Sequence, residues 1–122
     1  MTSTMKLQML LIPVAALAPA VEFFQQVCGL PLKFRDGDRY AALDANGLTV
    51  GLAAGEERIA EVPALVFRVT AIAAEVERLC SAGAELLRPA EQGPHEQRAV
   101  LRSPDGPVLV LSEKNASRGR HP

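Results

Sequence analysis

The side chains best suited to bind a small molecule in this sequence are four arginines: Arg39, Arg68, Arg98 and Arg102. A guanidinium group is planar and permanently charged, so it can grip a carboxylate through paired hydrogen bonds or stack on an aromatic ring. The alternative is that these arginines form ion pairs in water with Asp36, Asp38 or Glu96, which would contribute little. The sequence leaves both interpretations open.

Groups for other kinds of chemistry are poorly placed. His95 falls in a predicted loop and His121 in the carboxyl-terminal tail, so they do not form a site together. Ser81 and Ser103 have no predictable histidine partner, which nucleophilic catalysis by a hydroxyl requires. The acidic candidates for proton transfer fall on predicted helices and are interpreted as solvated helix faces: Glu22, Glu75 and Glu77. The sequence therefore predicts no catalytic residue.

The composition excludes several kinds of partner. The chain has 122 residues, a net charge of −1 and 48% hydrophobic residues, which suits one domain with its own core. Nearly balanced charge argues against a nucleic-acid or anionic-membrane partner. The longest uncharged run, 7–21, contains two prolines and is too short to span a bilayer. With no signal-like start and two cysteines interpreted as small buried hydrophobes, the sequence predicts a cytoplasmic protein.

A β-hairpin that occurs twice organises the chain. In the segment 98–111, Ser103-Pro104-Asp105-Gly106 has the residues of a tight turn between two strands rich in valine and leucine. The segment 40–52 repeats this pattern around Asp44-Ala45-Asn46-Gly47, with Gly47 aligned to Gly106. The same alignment makes Arg39 the counterpart of Arg98. The sequence therefore encodes the same hairpin once in each half of the chain.

The elements before each hairpin are repeated as well. An apolar strand and a helix ending at glycine precede the first hairpin, with strand 6–14 and a helix from Pro19 to Gly29. The second half repeats them as strand 63–69 and helix 71–82, followed by a strand over 84–88 and a loop over 89–94. Each half thus reads β-α-β-β-β. We predict one structural domain with these parts: a first module at 6–53, a linker at 54–62, a second module at 63–112 and a disordered tail at 113–122.

These features together resemble the vicinal oxygen chelate superfamily of glyoxalases, bleomycin-resistance proteins and extradiol dioxygenases. The residues that carry the resemblance are the strand PALVFRV at 63–69, Phe23-Phe24 followed by Cys28-Gly29-Leu30, and the final Pro-Asp-Gly hairpin. The resemblance implies an α+β fold in which two tandem βαβββ modules form a curved, cupped mixed sheet with helices outside.

In such a fold, alternation along the strands sorts side chains between the helices and a cavity. Leu10, Ile12 and Val14 are expected to face a helix. The same alternation turns Tyr40 away from the cavity, so its hydroxyl is expected near the surface. His95 is a candidate donor at the mouth of the cavity. The residues expected to bind a ligand there are Met9, Leu11, Arg39, Thr49, Gly51, Ala64, Val66, Arg68, Arg98, Arg102 and Val110.

The resemblance also implies where a divalent metal would be held, on the first and last strand of each half. Those positions carry Met9, Gly51, Ala64 and Val110. Gly, Ala and Val offer no ligand, and the Met thioether suits soft Cu(I) rather than a hard or borderline cation. A slip of one residue would place Gln8 there but would also turn the core face of that strand outward, so it is rejected. We predict no bound metal and no cofactor.

The preferred hypothesis is a metal-independent small-molecule binding protein of the bleomycin-resistance type, which binds an apolar or aromatic ligand that can be anionic. An alternative is a metal-dependent lyase, isomerase or dioxygenase of the same superfamily, and a third is a degenerate structural partner. A homodimer is expected because relatives often complete their cavities across two chains. Bleomycin itself does not fit, because this chain lacks the acidic excess that suits a cationic drug.

Overall fold

The structure, a computed structural model, describes residues 5–93 and 95–115, and these form two compact units. We call the unit Gln8–Val66 the amino-terminal module. The rest of the described chain, 67–115 together with 5–7, is the carboxyl-terminal module. The predicted boundaries at 53 and 63 stay a prediction.

The amino-terminal module contains four strands and one helical segment between the first two. Its elements are β1 (Lys6–Pro13, of which Gln8 onward belongs to this module), α1 (Leu17–Glu22), a π-helical turn (Phe23–Val27), β2 (Leu32–Asp36), β3 (Tyr40–Ala45), β4 (Leu48–Ala53) and a 3-10 turn (Gly55–Glu57). The first three residues of β5 (Ala64–Arg68) also belong to this module. The strands lie in the order β2-β3-β4-β1, with β1 parallel to β4 and the other neighbours antiparallel.

The carboxyl-terminal module repeats this element order. Its elements are the end of β5 (Ala64–Arg68), α2 (Ile72–Ser81), β6 (Glu85–Gln92), β7 (Glu96–Arg102) and β8 (Val108–Lys114). The strands lie in the order β5-β8-β7-β6, and β7 pairs antiparallel with both β6 and β8. The predicted α+β class and the two βαβββ modules are therefore confirmed.

Each module buries one face of its sheet against its own helix. In the amino-terminal module Leu17 and Val21 of α1 pack on alternate residues of β3 and β4, including Leu43 and Leu52, which are fully buried. In the carboxyl-terminal module Ile72 of α2 packs in the same way on a cluster of Val69, Ala99, Leu101 and Leu111. The prediction that Ile12 and Val14 face the helix is confirmed, since both pack against the α1 cluster.

Both predicted turns are present. Asn46 and Gly47 have φ of 61° and 105°, and the Gly47 amide donates to Oδ1 of Asp44 at 2.8 Å. A two-residue loop with positive φ at both positions matches the twist of the strands that it joins. In the second hairpin the Gly106 amide donates to the Ser103 carbonyl at 2.9 Å, and Gly106 has φ of 115°.

Several local predictions are wrong. The segment around Pro89 is not a loop, because β6 continues to Gln92 with register shifts against β7 between Leu86 and Glu91. β6 is the last strand of the sheet order, where a missing amide donor is tolerated. Glu75 is buried rather than solvated, and its carboxylate accepts bonds from Nε and Nη2 of Arg78 at 3.0 and 2.7 Å. Cys28 is exposed, whereas Cys80 packs against the α2 cluster.

Two predictions lie outside the described residues, namely the position of His121 and most of the disordered tail at 113–122, of which only 113–115 are described. Within the described ranges, none of the helices combines the length and the hydropathy that crossing a bilayer would take.

Candidate functional site

The sheet face of each module that points away from its helix holds the residues predicted to bind a ligand. We call it the helix-free face. In the amino-terminal module the register of β1 against β4 pairs Met9 with Thr49 and Leu11 with Gly51, so these four predicted residues share that face. The pairing of β3 with β4 adds Tyr40 and Ala42 to it.

Tyr40 lies over Gly51, contrary to the prediction that its hydroxyl reaches the surface. A Cβ built on Gly51 would be 2.9 Å from Oη of Tyr40 and 3.0 Å from Cε of Met9. The Tyr40 hydroxyl is 3.8 Å from Sδ of Met9, and the ring is tilted against that of Phe34 at a centroid distance of 6.4 Å. Glycine at position 51 therefore leaves the room in which the Tyr40 ring and the Met9 methyl group meet.

The mistake about Tyr40 has a simple geometric cause. Gly51 pairs with Ala42, whereas Val110, its counterpart in the second hairpin, pairs with Val100. Eight residues lie between Ala42 and Gly51 and nine between Val100 and Val110, so the second hairpin is one residue longer between these paired positions. The residue that corresponds to Arg98 is therefore Tyr40, not Arg39. Along a strand a shift by one residue exchanges the two faces.

Arg39 consequently lies in the turn between β2 and β3. Its Nη2 is 2.5 Å from Oδ2 of Asp36, and its side chain is 58% exposed. The hydrogen bond and the negative charge of Asp36 raise the pKa of Arg39. This is the exposed ion pair that the sequence left open as the alternative to ligand binding, and Arg39 is not grouped with the other predicted binding residues.

The positions that the resemblance assigns to a metal do not fit a hard cation. Two of them, Met9 and Gly51, meet in the amino-terminal module, and Tyr40 and the Met9 side chain fill the volume beside Gly51. The other two, Ala64 and Val110, are 1% exposed and end in methyl groups. Among the described residues there is no group of three or more His, Cys, Asp or Glu that could hold a metal ion. The side chains at these four positions therefore do not provide a ligand set for such a cation.

A shallow depression of about 140 Å³, open to solvent, lies at one end of the amino-terminal helix-free face. Its floor is made by Leu11, Pro13 and Ala53, and the segment 58–60 after the 3-10 turn forms its side. Ile59 and Ala60 are each 8% exposed, so the linker segment packs on this face instead of standing in solvent. The floor of the depression is apolar, and its side carries one charged residue, Arg58.

The helix-free face of the carboxyl-terminal module is polar in comparison. The register of β7 against β8 pairs Arg98 with Ser112, Val100 with Val110 and Arg102 with Val108. Partners opposite each other in a sheet project to the same side. The alternate residues of these two strands, Ala99, Leu101 and Leu111, pack on α2. The prediction that Arg98, Arg102 and Val110 point away from the helix is thus confirmed.

Four residues of this face form what we call the arginine cluster: Arg68, Glu96, Arg98 and Ser112. The Ser112 hydroxyl, on a residue that is 2% exposed, donates to Oε1 of Glu96 at 2.5 Å. Nη2 of Arg68 is 3.7 Å from the same oxygen, and Nε of Arg98 is 3.9 Å from Oε2. The side chains of Arg68, Glu96 and Arg98 are each about one third exposed, at 32%, 32% and 31%.

One donor in the arginine cluster is not satisfied. Nη1 of Arg68 is buried and has no hydrogen-bond partner among the residues of 5–93 and 95–115. A guanidinium has five N–H donors, and leaving a buried one unbonded costs about 1–3 kcal/mol or more for a charged group. A carboxylate at the exposed part of Arg68, whose side chain is 32% exposed, would form charge-assisted bonds with the guanidinium.

The remaining predicted residues are distributed as follows. Ala64 and Val66 are buried on β5 in the amino-terminal module. Arg102 is at the end of β7, where Nη1 is 3.5 Å from Oε1 of Glu85 and its side chain is 48% exposed, so it forms a surface ion pair. His95 is exposed in the segment before β7.

Sequence reasoning missed two members of the arginine cluster as binding-site residues, Glu96 and Ser112. The alternation that placed Arg98 and Val110 on one face also applies to Glu96, two residues before Arg98, and to Ser112, two residues after Val110. That signal was present in the sequence. The contact between the two residues was not, because it depends on the β7-β8 register.

A comparison with protein families identifies the fold. The model of a glyoxalase-like domain matches residues 9–111, which is most of the chain. The chain belongs to the glyoxalase-like family. The predicted membership of the vicinal oxygen chelate superfamily is confirmed. One relative of this glyoxalase-like protein, an uncharacterized protein of Mycolicibacterium smegmatis, is 28% identical over 107 residues, which covers 87% of this chain and 91% of the relative.

Solved structures of low sequence identity share the fold of this glyoxalase-like protein. A glyoxalase/bleomycin resistance protein/dioxygenase superfamily member from Vibrio splendidus is 17% identical, with a TM-score of 0.67 and coverage of 93% of this chain and 100% of that one. The methylmalonyl-CoA epimerase of Mycobacterium tuberculosis is 22% identical, with a TM-score of 0.66 and coverage of 95% and 92%. At these identities the likeness shows the fold and not the activity.

Proposed function

We propose that this glyoxalase-like protein is a metal-independent binding protein for a small carboxylate with an apolar or aromatic body. The observation that carries the proposal is the buried Nη1 of Arg68, which lacks a hydrogen-bond partner among the described residues. Folded proteins rarely leave such a group unpaired, and a ligand that satisfies it is a physical reason for keeping it.

The surroundings of Arg68 support a ligand with one charged end. Next to the arginine cluster, Val100, Val108 and Val110 lie on the same face and are buried, so the surroundings of the guanidinium are apolar. A guanidinium in such surroundings can hold a carboxylate by hydrogen bonds. No nucleophile or metal is needed for binding of this kind.

The proposal is tested by ligand titration with charged and neutral pairs of compounds. Benzoate and octanoate are titrated into the protein by calorimetry, with benzamide and octanamide as controls of the same shape and no charge. We expect at least one carboxylate to bind, and to bind more tightly than its amide by about 10-fold to 100-fold, as for hydrogen bonds to a charged group. The absence of binding by both carboxylates would overturn the proposal.

The residue assignment is tested with two matched variants. Arg68→Met retains an unbranched side chain but removes the guanidinium, and we expect it to lose the preference for the carboxylate. Arg102→Met makes the same change at the exposed ion pair with Glu85, and we expect it to alter affinity by less than about threefold. Equal losses in the two variants would contradict the role given to Arg68.

The competing function is a metal-dependent lyase, isomerase or dioxygenase. Elemental analysis of the purified protein distinguishes the two functions, and we expect Ni, Zn, Fe and Mn all to be far below one ion per chain. A stoichiometric metal that survives dialysis would overturn the metal-independent proposal. The side chains at the four positions argue against it, because Gly51, Ala64 and Val110 have no donor atom.

The proposal includes a homodimer, on the basis of the superfamily resemblance, and a cytoplasmic location, on the basis of the cysteine pattern. Sedimentation equilibrium measures the assembly directly, and a mass near twice 13.0 kDa is expected. A mass of one chain across the micromolar range would remove the dimer from the proposal and leave the Arg68 assignment unchanged.

A further inference from the structure

Glu96 has an unusual position in the arginine cluster, because it lies between two guanidinium groups without a hydrogen bond to either. Its oxygens are 3.7 Å from Nη2 of Arg68 and 3.9 Å from Nε of Arg98. Both separations are longer than the 2.7–2.9 Å that is typical of charge-assisted N–H···O bonds. The hydrogen bond that fixes its carboxylate comes instead from the Ser112 hydroxyl at 2.5 Å.

This arrangement separates charge from hydrogen bonding. Glu96 cancels one of the two positive charges by Coulomb attraction, which is weaker by only about one quarter at 4 Å than at 3 Å. It does not occupy the N–H donors of Arg68, one of which is buried and without a partner in the described chain. The cluster of two arginines and one glutamate therefore carries a net charge of +1 with donors still available.

We propose that Glu96 sets the charge selectivity of the site, so that it accepts singly charged carboxylates and disfavours doubly charged ones. The proposal rests on the proposed function and specifies its ligand class. One ligand carboxylate neutralises the net charge of the cluster. A second carboxylate on a small ligand finds no remaining excess of positive charge, is repelled by Glu96 and loses hydration without compensation.

The prediction for the unmodified protein is a preference between ligands that differ by one carboxylate. Benzoate is compared with isophthalate, and octanoate with octanedioate, by calorimetry at pH 7.5 and low ionic strength. In each pair that shows binding, we expect the monocarboxylate to bind more tightly by at least about threefold, the scale of one screened charge interaction. The preference should shrink as salt is added, because exposed charges are screened.

The variant that tests the assignment is Glu96→Gln. Glutamine has nearly the same shape and can still accept the Ser112 hydrogen bond through its amide oxygen, so the carboxylate charge is the main change. We expect the affinity for both ligands to rise, and that for the dicarboxylate to rise by about threefold to tenfold more, because its charge is twice as large. Glu85→Gln, at the exposed pair with Arg102, is the matched control and should leave the ratio unchanged.

The outcomes separate this proposal from the function on which it rests. If no carboxylate binds, the proposed function fails and the selectivity fails with it. If monocarboxylates bind but the unmodified protein binds the dicarboxylates equally well, or Glu96→Gln does not change the ratio, charge selection by Glu96 is overturned while the binding function stands. A loss of monocarboxylate affinity in Glu96→Gln would also overturn it, because Glu96 would then be a ligand contact.

Discussion

The helix-free faces of the two modules are formed by corresponding strands but differ in chemistry. In the amino-terminal module, Tyr40 packs on Gly51 and against Met9, and the face is filled by side chains of its own. In the carboxyl-terminal module the corresponding positions are Arg98 and Val110, and the face carries a charged cluster with a donor left unbonded by the described residues. A repeated scaffold thus carries a packed aromatic contact in one module and a charged cluster in the other.

The largest effect is expected from making the amino-terminal face like the other one at its centre. Gly51→Val introduces the residue of the corresponding position, Val110, into space that Tyr40 and Met9 fill to within 3.0 Å of the missing Cβ. Overpacking of this kind costs typically about 1–3 kcal/mol. We expect a decrease of that size in the free energy of unfolding, measured by urea denaturation.

A control for that variant is available two residues earlier on β4 and on the same face. Thr49→Val adds the same side chain away from the Tyr40 ring. If Gly51→Val is no less stable than Thr49→Val, then Tyr40 is not held on Gly51 and the contrast between the two faces is wrong at this point.

A smaller effect is expected from Ser112→Ala in the carboxyl-terminal face. The variant removes the buried hydroxyl that donates to Glu96, and a hydrogen bond of this kind contributes about 0.5–1.5 kcal/mol. Urea denaturation should show a loss in this range. Ser81→Ala, at the exposed end of α2, should stay within about 0.5 kcal/mol of the unmodified protein.

The Ser112→Ala variant is also expected to change ligand binding by the carboxyl-terminal face. Without the hydroxyl, Glu96 is free to move onto a guanidinium and use the donors that the ligand needs. We therefore expect weaker benzoate binding with little change in the fold, followed by calorimetry and circular dichroism. Unchanged stability and unchanged binding together would show that Ser112 does not position Glu96.

The smallest effect is expected for the polar contact of the amino-terminal face. Nζ of Lys33 donates to Oγ1 of Thr49 at 2.8 Å in an exposed position. Water can replace such a bond, so Thr49→Val should change the free energy of unfolding by no more than about 0.5 kcal/mol. A loss as large as that of Ser112→Ala would mean that a polar contact stabilises the amino-terminal face as much as the carboxyl-terminal one. The proposed difference between the two faces would then be smaller.

Much of the fold could be read from local patterns. The turns at Asn46-Gly47 and Ser103-Pro104-Asp105-Gly106 need particular residues. A glycine with positive φ also follows each helical segment, Gly29 after the π-helical turn and Gly83 after α2. The interruption at Pro89 was misread, because a proline in an edge strand looks the same in sequence as a proline in a loop. Glu75 was misread because its burial depends on Arg78 one turn later and on the packing around α2.

The sequence by itself determined the duplicated βαβββ order and which residues of β1, β7 and β8 face the helix. It also determined that three of the four positions that the resemblance assigns to a metal have no ligand atom. These depend on side-chain type and on a period of two, which are properties of short stretches of chain. Only the tertiary structure decided that Tyr40 rather than Arg39 is the counterpart of Arg98. It also decided that Glu96 is fixed by Ser112 between two arginines, because hairpin register and contacts between strands depend on how separate segments pair.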